Sequence, residues 1–526
     1  MTRQRLVALF VACFATASFA HEDSKGTEKL GKVSFSNSCS PKVQQKLQRG
    51  VAMLHSFWWP AGERTFEEVA AEDPNCVIAA WGFASIQMYN PFAGIGATPE
   101  SAARARKAID KGRQMSAATQ REKDYLGAVA AYYEDFANQT ERQRALARSK
   151  AYEALAAKYP KDDEAQIFNA LYLIAIQQQA DQTYSNSLKA AAILEKAFAK
   201  SPSHPGVAHY LIHSYDAPPI AAKGVPSAKR YAGLAPDAPH ALHMPSHIFT
   251  RVGAWNESAA TNRRSADVAK KGNEGDDALH ALDYMVYAYL QLGRDGDARK
   301  TYEEATRVTG MTPRLIGPYA MAAMPARLAV ERGAWRDAAA LQPVESKFPF
   351  AEAIYYQARA IGAARSGDVS AAKADVQLIE KRRDALRSAK NDYWATEVEV
   401  MRLSAAAWVA LAENRAEEAL QLMRTAADTE DKNDKHPVTP GRILPSREML
   451  GDMLMELKRP AEALKEYEQS QKREPDRFRG LYGAALAAEM AGDGKAARRY
   501  YARLVQIAGK GEVRPELTLA RGYLSK

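Results

Sequence analysis

His209 lies 34 residues before His243, and His213 lies 34 residues before His247. Two histidines four apart that recur together at this offset point to a repeated two-helix unit, since one helix, a turn and a second helix take about 34 residues. A unit of that size cannot bury its own apolar face, so neighbouring units must stack. The pairing therefore constrains the chain to a helical array and sets four imidazoles at equivalent points of adjacent helices.

Length and composition agree with an array. At 526 residues the chain exceeds what one hydrophobic core holds. Alanine, leucine, glutamate, lysine and arginine dominate, which favours helix over strand. The net charge of +9 is spread without blocks of one sign, the pattern of a solvated surface rather than a nucleic-acid stripe. Nucleic acid is therefore not an expected partner.

The N-terminus reads as an export signal. Arg3 and Arg5 precede an apolar stretch from Leu6 to Ala17, and Ser18-Phe19-Ala20 has the small-x-small form of a cleavage site. Residues 1–20 are expected to be removed, giving a secreted or periplasmic protein; a lipoprotein site at Cys13 fits less well. No later stretch reaches 18 uninterrupted apolar residues, so no membrane span is expected. Cys39 and Cys76, 37 residues apart, each precede a first helix. Parallel stacking sets those helix starts side by side, and an oxidising compartment would join them in a disulfide; two free buried thiols are the alternative.

The repeat pattern asks for small residues at positions 8 and 20, an aromatic at 24 and Pro at 32. Counting from Val43 these are Gly50, Gly62, Phe66 and Pro74; counting from Leu444 they are Gly451, Ala463, Tyr467 and Pro475. From Phe478, Ala485, Ala497 and Tyr501 fill the same places. In the middle of the chain Gly253, Gly293 and Gly333 recur at 40 residues and Gly367 follows 34 later, as helix-closing turns would. On these residues the chain resembles the tetratricopeptide repeat proteins over nearly its whole mature length. His55-Ser56-Phe57-Trp58-Trp59 and His243-Met244-Pro245-Ser246-His247-Ile248-Phe249 are similar to blocks in exported bacterial members of unassigned activity. The resemblance implies an all-α, right-handed superhelical solenoid with a concave groove that binds a peptide or protein partner. Pro245 departs from the pattern and should kink its helix or delay its start. The expected organisation is a disordered polar segment 21–38, an array 39–426, a linker 427–445, and C-terminal repeats with a capping helix over 446–526.

In the repeat register two rows cross three first helices: His209, His243 and Asp283, and His213, His247 and Tyr287. His240 and His280 take position 2 of their units; His55 and Arg251 take position 13, His55 far along the array. The residues leave three readings open. The rows form a recognition surface for a peptide, a protein or a small anionic ligand, using His209, His213, His240, His243, His247, Arg251, His280, Asp283 and Tyr287. Alternatively His209, His213, His243 and His247, with Asp283, hold zinc or copper, since histidines four apart on a helix present both rings to one ion. In the third reading the histidines only tie loops together or survive from duplication of one repeat, which by itself explains the 34-residue offsets. No cofactor is certain from sequence. An enzyme is not expected: neither His209-Tyr210-Leu211-Ile212-His213 nor His243-Met244-Pro245-Ser246-His247 carries the Glu of a zinc-protease motif. No nucleophile elbow or phosphate loop stands in a suitable setting either.

Overall fold

Antiparallel helix pairs run through the whole computed structural model, which describes residues 28–116, 118–312 and 314–526. The expected signal segment and Cys13 lie outside the described residues. Within them there are 26 α-helices and no strand. The fold is an all-α solenoid of tetratricopeptide-like helix–turn–helix repeats.

Local chemistry explains the helix boundaries. Thr98, Thr119 and Thr140 each accept a hydrogen bond from the backbone three residues on and close capping boxes at the starts of Pro99–Arg113, Gln120–Ala130 and Glu141–Lys158. Gly253, Gly293, Gly333 and Gly367 take φ of +69°, +68°, +63° and +93°, the left-handed turns that the sequence spacing anticipates. Gly50 and Gly451, at position 8 of their repeats, are small because an aromatic fills the space beside them, whereas Gly62 makes room for Ile86. A Cβ on Gly451 would lie 2.7 Å from the Tyr467 ring, and one on Gly483 of the next unit 2.4 Å from it. Phe66 is wedged in the same way between Gly50 and Gly82, at 3.1 and 2.2 Å. The Cys39–Cys76 disulfide is formed, with Cα atoms 4.7 Å apart, and pins the first repeat to the second.

Two stretches differ from the sequence reading. Residues 28–38, read as part of a disordered segment, lie extended in the structure with Leu30 and Phe35 buried. Lys32 N donates to Ser203 O at 3.0 Å and Lys29 N to Asp237 Oδ2 at 2.7 Å, so this strip clasps distant repeats. The stretch 427–445, read as a linker, begins as the last turns of Ala416–Asp431 and continues as a buried segment. Asn433, Asp434, Lys435 and His436 are all buried, and Asp434 N donates to Gln179 O at 3.0 Å. A polar segment can be buried there because partners meet it. Tyr284 donates to Thr439 O at 3.1 Å, and Arg327 to Gly441 O at 2.8 Å. One hydrophobic cluster runs from Leu315 past Ala426 to Tyr467 and Ala487, so the C-terminal repeats share a core with the array.

The solenoid curls back on itself. Trp255 Nε1 donates to Asp476 O at 2.8 Å, Phe478 N donates to Gln291 Oε1 at 2.9 Å, and Arg514 pairs with Asp295. These contacts bring C-terminal repeats against the helices Trp255–Lys271 and Gly275–Gln291. The hollow side of the middle repeats is therefore lined by the chain's own later segments.

Candidate metal centre

Three neighbouring stretches supply the site: the helix Pro205–Tyr215, the pair Pro239–His243 and Pro245–Arg251, and the helix Gly275–Gln291. Pro245 has no N–H to give, so the middle helix breaks into two short pieces joined through Met244, which keeps helical φ and ψ of −51° and −38°. His243 and His247 stay on one face across that break. Their ring centroids are 4.9 Å apart, as are those of His209 and His213.

Six imidazoles converge, in two groups of three. His209, His213 and His240 bring one ring nitrogen each within 4.8 Å of one another, and so do His243, His247 and His280. The groups adjoin, with His213 and His247 at 5.7 Å between centroids and His240 and His243 at 6.1 Å. All six side chains are buried.

The surroundings fix the tautomers of three rings. His209 Nδ1 donates to the backbone carbonyl of His55 at 2.7 Å, which leaves Nε2 as a bare lone pair. Asn262 Nδ2 donates to Ser258 O at 2.8 Å, so its Oδ1 must accept from His243 Nδ1 at 2.7 Å. His247 Nδ1 donates to Asp216 Oδ2 at 2.8 Å. Both Nε2 atoms of His243 and His247 are thus lone-pair acceptors, and they face each other at 3.0 Å with no proton to share. In the other group the Nε2 atoms of His209, His213 and His240 are all buried without a hydrogen-bond partner. Three buried lone pairs, on His209, His243 and His247, and two further unpartnered ring nitrogens, on His213 and His240, carry a desolvation cost that a cation among them removes.

Electrostatics keep the rings neutral. Burial first, and then the neighbouring imidazoles, push His209, His213, His240, His243 and His280 well below the ordinary histidine range. Burial also lowers His247, against the opposing pull of Asp216. Burial opposes the charge on Asp216, but Lys435, Arg251 and the His247 N–H outweigh it and hold that carboxyl well below the usual range. Neutral imidazole is the metal-binding form. An N–H bound by carboxylate, carbonyl or amide oxygen is also how metal-ligating histidines are oriented.

A cavity of about 340 Å³ abuts the centre, touching His213 and His240 of one group and His247 and His280 of the other. Trp59, Tyr89 and Phe92 form aromatic walls, and Glu274, Asp276 and Asp277 line another side. Burial, and then repulsion from Glu274 and Asp276, raises the Asp277 carboxyl well above its usual value. Its Oδ1 is 4.0 Å from His240 Nδ1. Phe92 stacks on His213 with centroids 3.9 Å apart.

The remaining residues of the two expected rows go elsewhere. Asp283 pairs with Arg327, and Tyr287 accepts from Arg477 Nη1 at 2.5 Å and donates to Glu474 at 3.1 Å. The unit before them is lengthened, and the helix that meets His243 and His247 starts at Gly275, one turn earlier than the glycine spacing implies. His280 and Tyr284 therefore occupy the facing positions, at 4.2 Å from His243 and 5.3 Å from His247. Arg251 donates to Asp216 Oδ1 at 2.8 Å and is buried. His55, placed far away by its position in the array, instead touches the site through its carbonyl because the helix Gln44–His55 packs on Pro205–Tyr215. Its own ring bonds Glu164 at 2.9 Å and Tyr210 at 3.0 Å. With His204 also bonded to Glu164 at 3.0 Å, every imidazole nitrogen of that cluster has a hydrogen-bond partner and none is left free for an ion.

Asp216, Asn262, Tyr284, Lys435 and His436 are parts of this neighbourhood that the sequence reading did not single out. Asp216 follows His213 by one turn and Lys435-His436 sits in the supposed linker, so neither lies on a repeat position that periodicity could flag.

No family model matches the chain, and no curated protein sequence matches it. Among solved structures it is similar to the APC/C hetero-tetramer Cut9–Hcn1, with 12% identity over 91% of this chain and 95% of that one, at a TM-score of 0.29. It is also similar to the human IFIT1 dimer with m7Gppp-AAAA, with 11% identity over 82% of this chain and 90% of that one, at 0.39. Neither likeness carries an argument about the site.

Proposed function

We propose that this is a metal-binding protein whose solenoid builds a centre for two transition-metal ions, one held by His209, His213 and His240, the other by His243, His247 and His280. The observation that carries this reading is the set of buried ring nitrogens without a partner: the Nε2 lone pairs of His243 and His247 facing each other at 3.0 Å, and the three orphaned Nε2 atoms of the other group. An ion sits about 2.0–2.1 Å from each imidazole nitrogen, so nitrogens a few ångströms apart need little adjustment to share one. All-imidazole ligation suits zinc or copper. Export, which the N-terminal pattern suggests and the disulfide is compatible with, would put the protein where such ions are handled.

A peptide-binding groove at the same repeats finds less support. Arg251, Asp283 and Tyr287, which would present it, are engaged by Asp216, Arg327 and Arg477 of the same chain. The test is elemental analysis after chelator-free purification, followed by incubation with zinc or cuprous ion. Two equivalents per chain, lost in the His213→Ala, His247→Ala double variant, is the expected result. A single equivalent would overturn the two-ion centre in favour of one shared ion, and no uptake of either metal would remove the metal reading altogether.

A further inference from the structure

Resting on the two-ion reading, we propose that the centre is a pair of copper ions that binds one molecule of dioxygen between them. The donor set argues for copper in its lower oxidation state. All six donors are neutral, and the nearest carboxylate, Asp216, is already engaged by Arg251, Lys435 and the His247 N–H. Two divalent ions would add four positive charges among six neutral ligands, with Glu274, Asp276 and Asp277 across the adjoining cavity rather than in the ligand shells, whereas two cuprous ions add two. The cost of unbalanced charge in a dry site rises steeply with its size. Three imidazoles also make a complete shell for cuprous ion, while zinc asks for a fourth ligand.

The ligand class follows from where the open side of each group faces. The cavity meets His213 and His240 from one group and His247 and His280 from the other, so a molecule entering it reaches both ions at once. The two groups are adjacent, and paired ions in two-metal sites stand about 3.5–4 Å apart, close enough to share a diatomic ligand. Dioxygen is neutral and about the size of a water molecule, for which roughly 30 Å³ suffices, so it enters without bringing charge. Each cuprous ion gives one electron, the O–O double bond becomes a single bond, and peroxide dianion lies between two cupric ions. No proton and no outside reductant is needed, and the total charge of the centre stays the same. Return of the two electrons releases dioxygen.

The experiment loads metal-free protein with cuprous ion under anaerobic conditions, counts the copper, and then admits dioxygen. Expected are two copper ions per chain and uptake of one dioxygen per pair. A near-ultraviolet charge-transfer band should accompany uptake and fade on degassing. The oxygenated protein should give no paramagnetic cupric signal, because the two spins couple. Protein loaded with zinc in the same site should take up no dioxygen, a control that needs no variant. His280→Gln should keep one copper and lose dioxygen uptake; if it fails to fold, the zinc comparison still decides. Two bound copper ions with no dioxygen uptake, or with the full signal of isolated cupric ions after exposure to air, would overturn this proposal and leave the two-ion reading standing. Uptake of zinc but not copper would overturn this proposal alone, and failure to bind either metal would instead strike the reading beneath it.

Discussion

Asp216 Oδ2 accepts the Nδ1 proton of His247 at 2.8 Å, while its other oxygen accepts from Arg251 Nε at 2.8 Å. One carboxylate therefore sets the tautomer of a ring in the six-histidine centre and neutralises the arginine behind it. Asp216→Asn keeps the shape but loses the charge that holds the His247 proton on Nδ1. Metal affinity should fall about 10- to 100-fold, as for other partners of metal-bound histidines. Competition with a chromophoric chelator measures it, and an unchanged affinity would show that this contact does not prepare the ring for an ion.

Gly206 makes room for the His55 ring, since a Cβ there would lie 2.3 Å from His55 Nδ1. That ring is fully buried and tied to Glu164 and Tyr210, so it has nowhere to retreat. Gly206→Ala should cost about 1–3 kcal/mol of stability, the usual range for overpacking. Because the His55 carbonyl holds His209, metal affinity should fall as well. Denaturant unfolding together with metal titration tests both, and full stability would contradict the close packing described.

The Cys39–Cys76 link closes a loop of 37 residues' separation. Chain-entropy arguments put its contribution at about 3–4 kcal/mol. The Cys39→Ser, Cys76→Ser variant should lose that much in chemical denaturation, with the first two repeats the first to exchange their amide hydrogens. Equal stability of reduced and oxidised protein would count against it.

Glu430 gives a pH dependence whose sign can be worked out. Burial, and then repulsion from Glu474, raises its pKa to about 8, even though Ser446 donates to it through N and Oγ. The folded protein keeps this proton to a higher pH than the unfolded chain, where a Glu loses it near pH 4.3. The contribution is therefore fully present below about pH 4 and is lost as pH rises toward 8. Glu430→Gln should gain stability relative to the parent across that window, on the order of 4–5 kcal/mol at pH 8. Parallel stability–pH curves for the two proteins would refute this.

Much of the architecture is legible in the residue order. The spacing of Gly50 and Phe66, and of Gly451 and Tyr467, announces aromatics packed against small positions, and the glycine turns follow directly from backbone sterics. Four of the six histidines also declare themselves, because a repeat offset carries them to equivalent helix faces. Such signals are local or periodic, and a linear chain displays them openly.

Other features depended on tertiary packing. His280, rather than Asp283, meets His243 because one unit is longer and its helix begins a turn early, a shift of register that glycine spacing misjudges. The His55 carbonyl reaches His209 across 154 residues because the helix Gln44–His55 docks on the distant helix Pro205–Tyr215, not because any pattern links them. Lys435 and His436 enter the hollow because a polar segment found buried partners there. Repeat periodicity dictates which face of a helix is apolar, since that depends on neighbours a few residues away. How far the spiral curls before it meets itself is a sum of small rotations over every unit, and only the assembled molecule resolves that sum.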